Sequence, residues 1–544
     1  MVVPELRPWR AARPHVTRVA GAVRPRLTRA AEAVRPRLAR AATAAKPRVA
    51  RLARAVSPQA ARIARPKTWQ YTAGAATAGL ALAAGVVTAA GPWDSTGQRT
   101  AERDRAVALE RTGGTDHGRN ADTSDTSDTA AEAPRPAPSA ASVLTGLGGG
   151  ISTVKPAPNA KALAGLLGPL LDVPELGAHR TAAIVDVATG KRLYGDGASE
   201  ALTPASTTKI ATAVAALAAL GPDHRLTTRT ALEADTKELV LVGGGDPTLT
   251  ARKEPEGWAS LRELADRTAQ ALKKRDLREV TLSYDKTLYA GPELHPIGKN
   301  GNLAPVSALT VDEARTDDST SGPVKRMDDP AKDAAAQFAA LLADRGIKTT
   351  APGLSKATNR AESLAEVTSP PLSSLVERML TNSDNDLAEH LARQTAVASG
   401  VRADFDGAGD AIGAQLKKLG LPVKGADFKD GSGLNRDDKL TADLLTALLA
   451  KAADPTHPEL RPALTGLPVA GFTGTLTSRY TDGAAGIVRA KTGTLNGVNS
   501  LAGTVVDQDG RLLAFAFLST GADTEAARAA LDRTATALAS CGCA

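Results

Sequence analysis

The chain has 544 residues, with 67 Lys and Arg against 59 Asp and Glu and a formal charge of +8, a length that suits two or three domains. Its basicity is not a property of the whole: residues 1–67 hold 17 basic residues and 2 acidic ones, which leaves the remaining 477 at about −7. The global charge therefore describes an N-terminal tail, and a basic body is excluded.

Within that tail ARPHVTRVAGA, VRPRLTRAAEA, VRPRLARAATA and AKPRVARLARA follow one another over residues 12–55 with a period of 11. Pro14, Pro25, Pro36, Pro47 and Pro58 keep the phase and disfavour a continuous helix, so short amphipathic basic turns or disorder are expected. Such a tail suits contact with anionic lipid or nucleic acid, or is a solvated segment that only sets topology. From Thr68 to Trp93 no charged residue occurs. About 20 apolar residues cross a bilayer core and tryptophans suit its two interfaces, so 68–93 reads as a single transmembrane anchor. The alternative is the apolar region of a long signal peptide cut near TAAG. With the Arg-rich tail held in the cytoplasm, everything after Trp93 is expected outside the cell. Residues 94–160 contain DTSDTSDT, APRPAPSA and GLGGG, too little apolar mass to bury a core, and read as a disordered linker.

The folded part begins near residue 160. TAAIVDVATGKRLYG (181–195) alternates apolar and polar residues around a Thr-Gly turn, as a hairpin does. The stretch from Gly486 to Ser519 supplies further strands, two of them joined across Asp509-Gly510, and DTEAARAALDRTATALA closes the chain as a helix. Strands at both ends with alanine-rich helices between them predict one antiparallel sheet assembled from the termini, an α+β layout.

Three short stretches carry chemistry. In PASTTKIATAVAAL (204–217) Ser206 and Lys209 are three positions apart at a predicted helix start, so they share a face. A serine hydroxyl needs a base to become a nucleophile, and a desolvated lysine can be that base. Alone the pair is weak, because capping serines are common. TNSDNDLAEH adds Ser383, Asp384 and Asn385, and RAKTGTLNG adds Lys491, Thr492 and Gly493 on a predicted strand. S-x-x-K, S-D-N and K-T-G in this order form the signature of penicillin-binding proteins and class A β-lactamases.

The 177 residues from Ser206 to Ser383 exceed what a compact β-lactamase needs and imply a domain inserted at about 225–360. Over about residues 165–540 the chain resembles the low-molecular-mass class C penicillin-binding proteins, the D-alanyl-D-alanine carboxypeptidase/endopeptidase family. The stretches that carry the likeness are LVGGGDPTL, LAPVSALTVDEAR, MLTNSDNDLAEHLAR, DGSGLNRDDKLT, LPVAGFTGTL and VRAKTGTLNGVNSLAG. The resemblance implies a penicillin-binding/β-lactamase-like fold over 161–540 and removal of the terminal D-alanine from peptidoglycan stem peptides. It makes Ser206 the nucleophile, Lys209 its base, Ser383 and Asn385 a proton relay and peptide clamp, and Lys491, Thr492, Gly493 and Thr494 the carboxylate and oxyanion side of the site. β-Lactams are then covalent inhibitors, and no cofactor or metal is expected.

One departure concerns the stem peptide's diamino acid. Members of the family can grip its amine with an acidic residue near a tryptophan, whereas YAGPELHPIGKNGNLAPVS offers Lys299 and no tryptophan. The remaining conspicuous residues have plainer readings. Gly243–Gly245 lacks a following Gly-Lys-Ser/Thr and reads as a tight turn, not a phosphate loop. Ser432 has no lysine one turn later and reads as part of a structural turn near the cleft. His390 is expected at the surface or behind the site. No H-x-H or H-E-x-x-H pair occurs among the seven histidines, which argues against a zinc peptidase. Cys541 and Cys543 are too few for a disulfide framework and read as part of a disordered terminus, with a bridge between them or to a partner as the alternative. A membrane-tethered β-lactam hydrolase and an idle wall-peptide sensor stay open as other functions.

Overall fold

The computed structural model describes residues 159–480 and 483–542. The 11-residue repeats, the apolar stretch 68–93 and nearly all of the linker lie outside the described residues. Among the described residues no helix is long and apolar enough to cross a membrane.

Helix α1 (Ala160–Leu171) leads into strands β1 (His179–Asp186), β2 (Arg192–Asp196) and β3 (Ala201–Leu202), then helix α2 (Thr208–Leu220). Strands β4 (Thr227–Glu233) and β5 (Glu238–Val242), helix α3 (Leu261–Lys273), strand β6 (Glu279–Asp285) and helix α4 (Pro330–Asp344) follow. After strands β7 (Lys348–Thr349), β8 (Gly353–Leu354) and β9 (Glu362–Thr368) come helices α5 (Leu372–Asn382), α6 (Asn385–Ala398) and α7 (Phe405–Lys418). Strand β10 (Leu440–Thr441), helix α8 (Ala442–Ala453), strands β11 (Arg489–Leu495), β12 (Val498–Val506) and β13 (Leu512–Thr520) and helix α9 (Thr524–Ala539) complete the order.

The main sheet runs β11-β12-β13-β1-β2, antiparallel throughout, as expected from strands at the two ends of the folded part. Its central strands are buried on both faces, and the period of two sorts their side chains. Ala183 and Val185 of β1, with Ala514, Ala516 and Leu518 of β13, join the cluster built around α2, α6 and α8. Ala182, Ile184, Leu513, Phe515 and Phe517 join the opposite cluster with Leu163 and Leu167 of α1 and Leu531 and Leu538 of α9. Small residues on the first face admit α8 close to the sheet, with α2 packed behind it among the helices; aromatics on the second fill the space under α1 and α9. Every residue of α2 from Thr208 to Leu217 is buried, which requires the alanine-rich sequence it has.

Strands β4 to β9 form a second, mixed sheet in the order β7-β6-β5-β4-β9, with β8 also pairing β6. β4 is antiparallel to β5 and β9, while β5 and β6 are parallel and connected through α3. Leu239, Leu241, Leu264, Leu272, Phe338 and Leu342 pack α3 and α4 on it. Ser260 caps α3 by accepting from the Glu263 N–H at 3.2 Å, and Asp329 caps α4 ahead of Pro330. The glycine run after β5 is a close-packed turn: a Cβ on Gly244 would lie 1.9 Å from the Thr227 carbonyl oxygen.

The C-terminus departs from expectation. Cys541 is 4% exposed, packs in the cluster under α9 and is disulfide-bonded. The docking of α9 on the sheet carries the chain inward beyond its last turn, where the Cys541 carbonyl accepts from the Gln508 N–H at 3.2 Å.

Candidate active site

Ser206 lies in a single 3-10 turn, Ala205–Thr207, immediately before α2. The preceding Ala205 takes a left-handed conformation, φ 49°, which sets the serine at a sharp entry to the helix rather than within it. Lys209, on the first turn of α2, donates from Nζ to Ser206 Oγ at 3.1 Å. The same amine donates to Asn385 Oδ1 at 2.7 Å and to the Ser432 carbonyl at 2.7 Å. Its three hydrogens are thereby matched by three acceptors, one from the adjoining turn and two from segments far along the chain.

Ser383 ends α5 in a left-handed conformation, φ 58° and ψ 41°, and Asp384 caps α6 by accepting from the Leu387 N–H. This helix-to-helix turn aims Ser383 and Asn385 at the site from one side. Asn385 is fixed at its other end by donating from Nδ2 to the Asn302 carbonyl at 3.0 Å. From the sheet edge, β11 brings Lys491, whose Nζ donates to Ser383 Oγ at 2.9 Å and to the Thr492 carbonyl at 2.8 Å. Gly493 is dictated by contact: a Cβ there would lie 2.5 Å from the Pro204 carbonyl and 2.1 Å from Ser500 Oγ. Clefts of about 510 and 450 Å³ flank the two hydroxyls, and Ser206, Ser383, Thr475, Thr494 and Arg528 line both.

The electrostatics are those of two buried amines. Lys209 and Lys491 are both 0% exposed. Burial draws the Lys209 pKa down to about 8, against the pull of Asp430, Glu389, Asp384 and Asp438. At that value about a tenth of the amines are neutral at pH 7. Lys491 falls well below the usual lysine range through burial, then through the charges of Lys209 and Arg479. A neutral amine beside one hydroxyl and a second amine beside another can take and return a proton within hydrogen-bond reach.

The D-Ala-D-Ala carboxypeptidase 3 (S13) family model matches residues 163–325 and 315–540. The chain belongs to that family. Carboxypeptidase DacB of Mycolicibacterium smegmatis is 38% identical over 431 residues, 76% of this chain and 91% of the relative. The D-alanyl-D-alanine carboxypeptidase of an Actinomadura species is 28% identical over 449 residues, covering 68% and 83%. Penicillin binding protein 4 from Haemophilus influenzae superposes with a TM-score of 0.56 at 22% identity, over 69% of this chain and 98% of the other, a likeness of fold. The S13 chain is thus an α+β penicillin-binding-type serine peptidase, a hydrolase acting as a D-Ala-D-Ala carboxypeptidase.

The S13 site gathers the eight catalytic and substrate-side residues expected from the three motifs: Ser206, Lys209, Ser383, Asn385, Lys491, Thr492, Gly493 and Thr494. Ser432 lies in a structural turn at the cleft, as expected, and contributes its backbone carbonyl to Lys209; sequence reading missed the Asn302 carbonyl that holds Asn385 and the role of Glu389. Glu389, 1% exposed, turns inward and accepts from the Gly431 N–H at 3.1 Å and the Ser432 N–H at 2.8 Å, so it holds the loop that holds Lys209. Its position one turn after Asn385 on α6 was the available signal. Burial, then Asp430, pushes its pKa up to about 7. Of the two places expected for His390 the surface one fails: it is 2% exposed, and its Nδ1 meets the Gly245 carbonyl at 3.0 Å, because α6 is buried on nearly all sides. Lys299 pairs with Asp328 in solvent at 2.7 Å.

Two groups of ligand-type atoms lie within 4.8 Å of one another, His295, Glu389 and Asp430, and Glu313, Asp384 and Asp386. Each is engaged internally. His295 Nε2 bonds Asp430 at 2.9 Å, while the second group meets Arg315, Arg326 and Arg378.

Glu389→Ala leaves two buried N–H groups without acceptors, so the variant should lose on the order of 2–4 kcal/mol of stability, as read by urea unfolding. Glu389→Gln, which keeps one acceptor oxygen, should lose less. Equal midpoints for the wild type and the alanine variant would show that the clamp carries no stability.

Proposed function

We propose that Ser206 Oγ attacks the carbonyl carbon of the penultimate D-alanine while its proton passes to the neutral Lys209 amine. The backbone N–H groups of Ser206 and Thr494 receive the developing oxyanion. As the tetrahedral intermediate collapses, the C–N bond breaks, the leaving nitrogen takes a proton through the Lys209, Ser383 and Lys491 groups, and D-alanine departs. Water then cleaves the Ser206 ester, and the serine recovers its proton. Asn385 holds the peptide, and Thr492, Gly493 and Thr494 form the wall along which it lies. The observation that carries this reading is the contact between a buried, partly neutral Lys209 and Ser206, with the Lys491–Ser383 pair across the same opening.

Three further parts of the reading rest on chemistry and sequence. A β-lactam presents its strained carbonyl to the same nucleophile, but its leaving group stays tethered to the acyl-enzyme. Class A β-lactamases release the acyl group with a water activated by a glutamate between S-D-N and K-T-G; of the two glutamates in that stretch here, Glu389 is committed to backbone N–H groups and Glu459 to His457 at 2.9 Å, which supports slow loss of the penicilloyl group and disfavours a β-lactam hydrolase. The second sheet accounts for the long spacing between Ser206 and Ser383 as an insert. The Trp-flanked apolar stretch 68–93 supports one membrane span, with the basic tail in the cytoplasm against anionic lipid and the catalytic body outside.

Intact-mass measurement should find one penicilloyl adduct on Ser206, lasting many minutes to hours, and none on Ser206→Ala. Labelling of the alanine variant would overturn the nucleophile assignment. The acylation rate should rise about tenfold per pH unit below the Lys209 pKa and level off above about 8, because the neutral amine is the active form. Lys209→Arg, which cannot become neutral, should acylate at least ~100-fold more slowly. For the topology, protease added to spheroplasts should degrade residues 94–544 and spare an N-terminal tag; loss of the tag would refute the proposed orientation.

A further inference from the structure

The loop before β10 presents the carbonyl that takes one of the Lys209 hydrogens. Ser432 is 0% exposed, and its carbonyl accepts from Lys209 Nζ at 2.7 Å. The next residue packs on the nucleophile turn: a Cβ on Gly433, φ 79°, would lie 1.9 Å from the Ala205 carbonyl oxygen. The loop thus touches both the residue ahead of Ser206 and the amine beside that serine, so the reacting pair feels where it sits.

Two carboxylates gather the loop's N–H groups. Glu389, fixed on α6, takes those of Gly431 and Ser432. Asp430, from the loop itself, takes those of Gly433 at 2.6 Å and Asn435 at 2.7 Å and meets the Ser432 hydroxyl at 3.4 Å. These three bonds only close the loop on itself. Among the described residues, the one donor to the Asp430 carboxylate from outside the loop is His295, whose Nε2 lies 2.9 Å from Oδ2. The ring is set to donate: its Nδ1 accepts from the Ile297 N–H at 3.2 Å, which leaves the hydrogen on Nε2. It stands nearly perpendicular to the Phe405 ring of α7, with centroids 5.1 Å apart, and both His295 and Asp430 are buried. Burial works to raise the Asp430 carboxyl, but the His295 bond and the Gly433 and Asn435 N–H groups hold it below its usual range. The loop therefore closes around an anion, and a hydrogen bond to a buried anion is of the strong kind. His295 itself lies in the connection between β6 and α4, within the stretch inserted after the nucleophile helix.

We propose that His295 is a positioning residue for the general base: by donating to Asp430 it ties the 430–435 loop to the inserted stretch and so keeps the Ser432 carbonyl against the Lys209 amine. It acts through Asp430 and the loop, not on the substrate. The proposal rests on the reading of Lys209 as the base, and it gives the inserted stretch a task in the chemistry, fixing that base from behind.

The test follows acylation of Ser206 by penicillin over a range of concentrations, so that the limiting rate constant separates from the half-saturating concentration. His295→Leu fills the space without a donor, His295→Asn carries an amide too short to reach Asp430, and His295→Gln places an amide N–H near the Nε2 position. The leucine and asparagine variants should lose roughly 10- to 100-fold in the limiting rate, the range for a misplaced catalytic group, with the half-saturating concentration little changed. The glutamine variant should keep most of the rate. If leucine prevents folding, the asparagine and glutamine variants make the same comparison between a side chain that reaches Asp430 and one that does not. Equal losses in the glutamine and asparagine variants would mean that the ring only fills space and would overturn the proposal. A loss confined to the half-saturating concentration, or wild-type limiting rates in the leucine and asparagine variants, would overturn it too. A wild type that takes up no penicillin on Ser206 would instead sink the acyl-enzyme reading, and the proposal with it, which keeps the two failures distinct.

Discussion

The arrangement turns on one buried ammonium group. Lys209 draws its acceptors from the turn before α2, from the start of α6 and from the loop before β10, segments 176 and 223 residues away from it in the chain. An amine taken out of water without partners is strongly disfavoured, so the site closes around it only when all three segments are in place. The same enclosure lowers its pKa. Structural need and chemical use therefore meet in a single group: the contacts that make its burial tolerable also aim its nitrogen at Ser206.

A second layer holds the first. Glu389 clamps the loop that presents the Ser432 carbonyl. Behind the Ser383 turn, Arg378 spans Glu313 at 2.8 Å and Asp384 at 3.5 Å, and Arg326 pairs with Asp386 at 2.8 Å. Asp312, Glu313 and Ala314 all take left-handed conformations, φ 49 to 53°, each costing on the order of 1–3 kcal/mol for a non-glycine residue. The run persists because the Glu313 carboxylate is gripped by Arg315 and Arg378 and its carbonyl accepts from Arg326 at 2.6 Å. Buried ion pairs of this sort are weak sources of stability, and here their effect is to fix the register of the S-D-N turn. The stretch 311–315 precedes the strands that close the second sheet, so that sheet is tied to the site through charge as well as through the chain.

On the open side the balance is reversed. Arg528 and Glu525 stand at the cleft mouth with a pairing that solvent screens, next to the Thr494 hydroxyl of β11. Rigid, matched charges lie behind the serines and loosely matched ones in front. That division suits an enzyme whose catalytic groups must not move and whose substrate must enter and leave.

Much was legible from residue types alone. Ser206, Lys209, Ser383, Asn385, Lys491 and Thr492 could be named because a hydroxyl, an amine and an amide carry their chemistry in the side chain and recur at fixed local spacings. The hairpins across Thr-Gly and Asp-Gly and the closing helix follow from patterns of period two and 3.6 that any short window contains. What folding alone decided was of another kind. The Ser432 and Asn302 carbonyls have no signature, since every residue has one. The inward turn of Glu389, the burial of His390 and Cys541, and the meeting of Arg528 with Thr494 depend on how helices pack against a sheet whose neighbouring strands come from opposite ends of the chain. Sequence spacing fixes which side chains share a helix face or strand face; only the closed fold fixes which of them are removed from water, and in this protein the removal of Lys209 and Lys491 from water is what changes their chemistry.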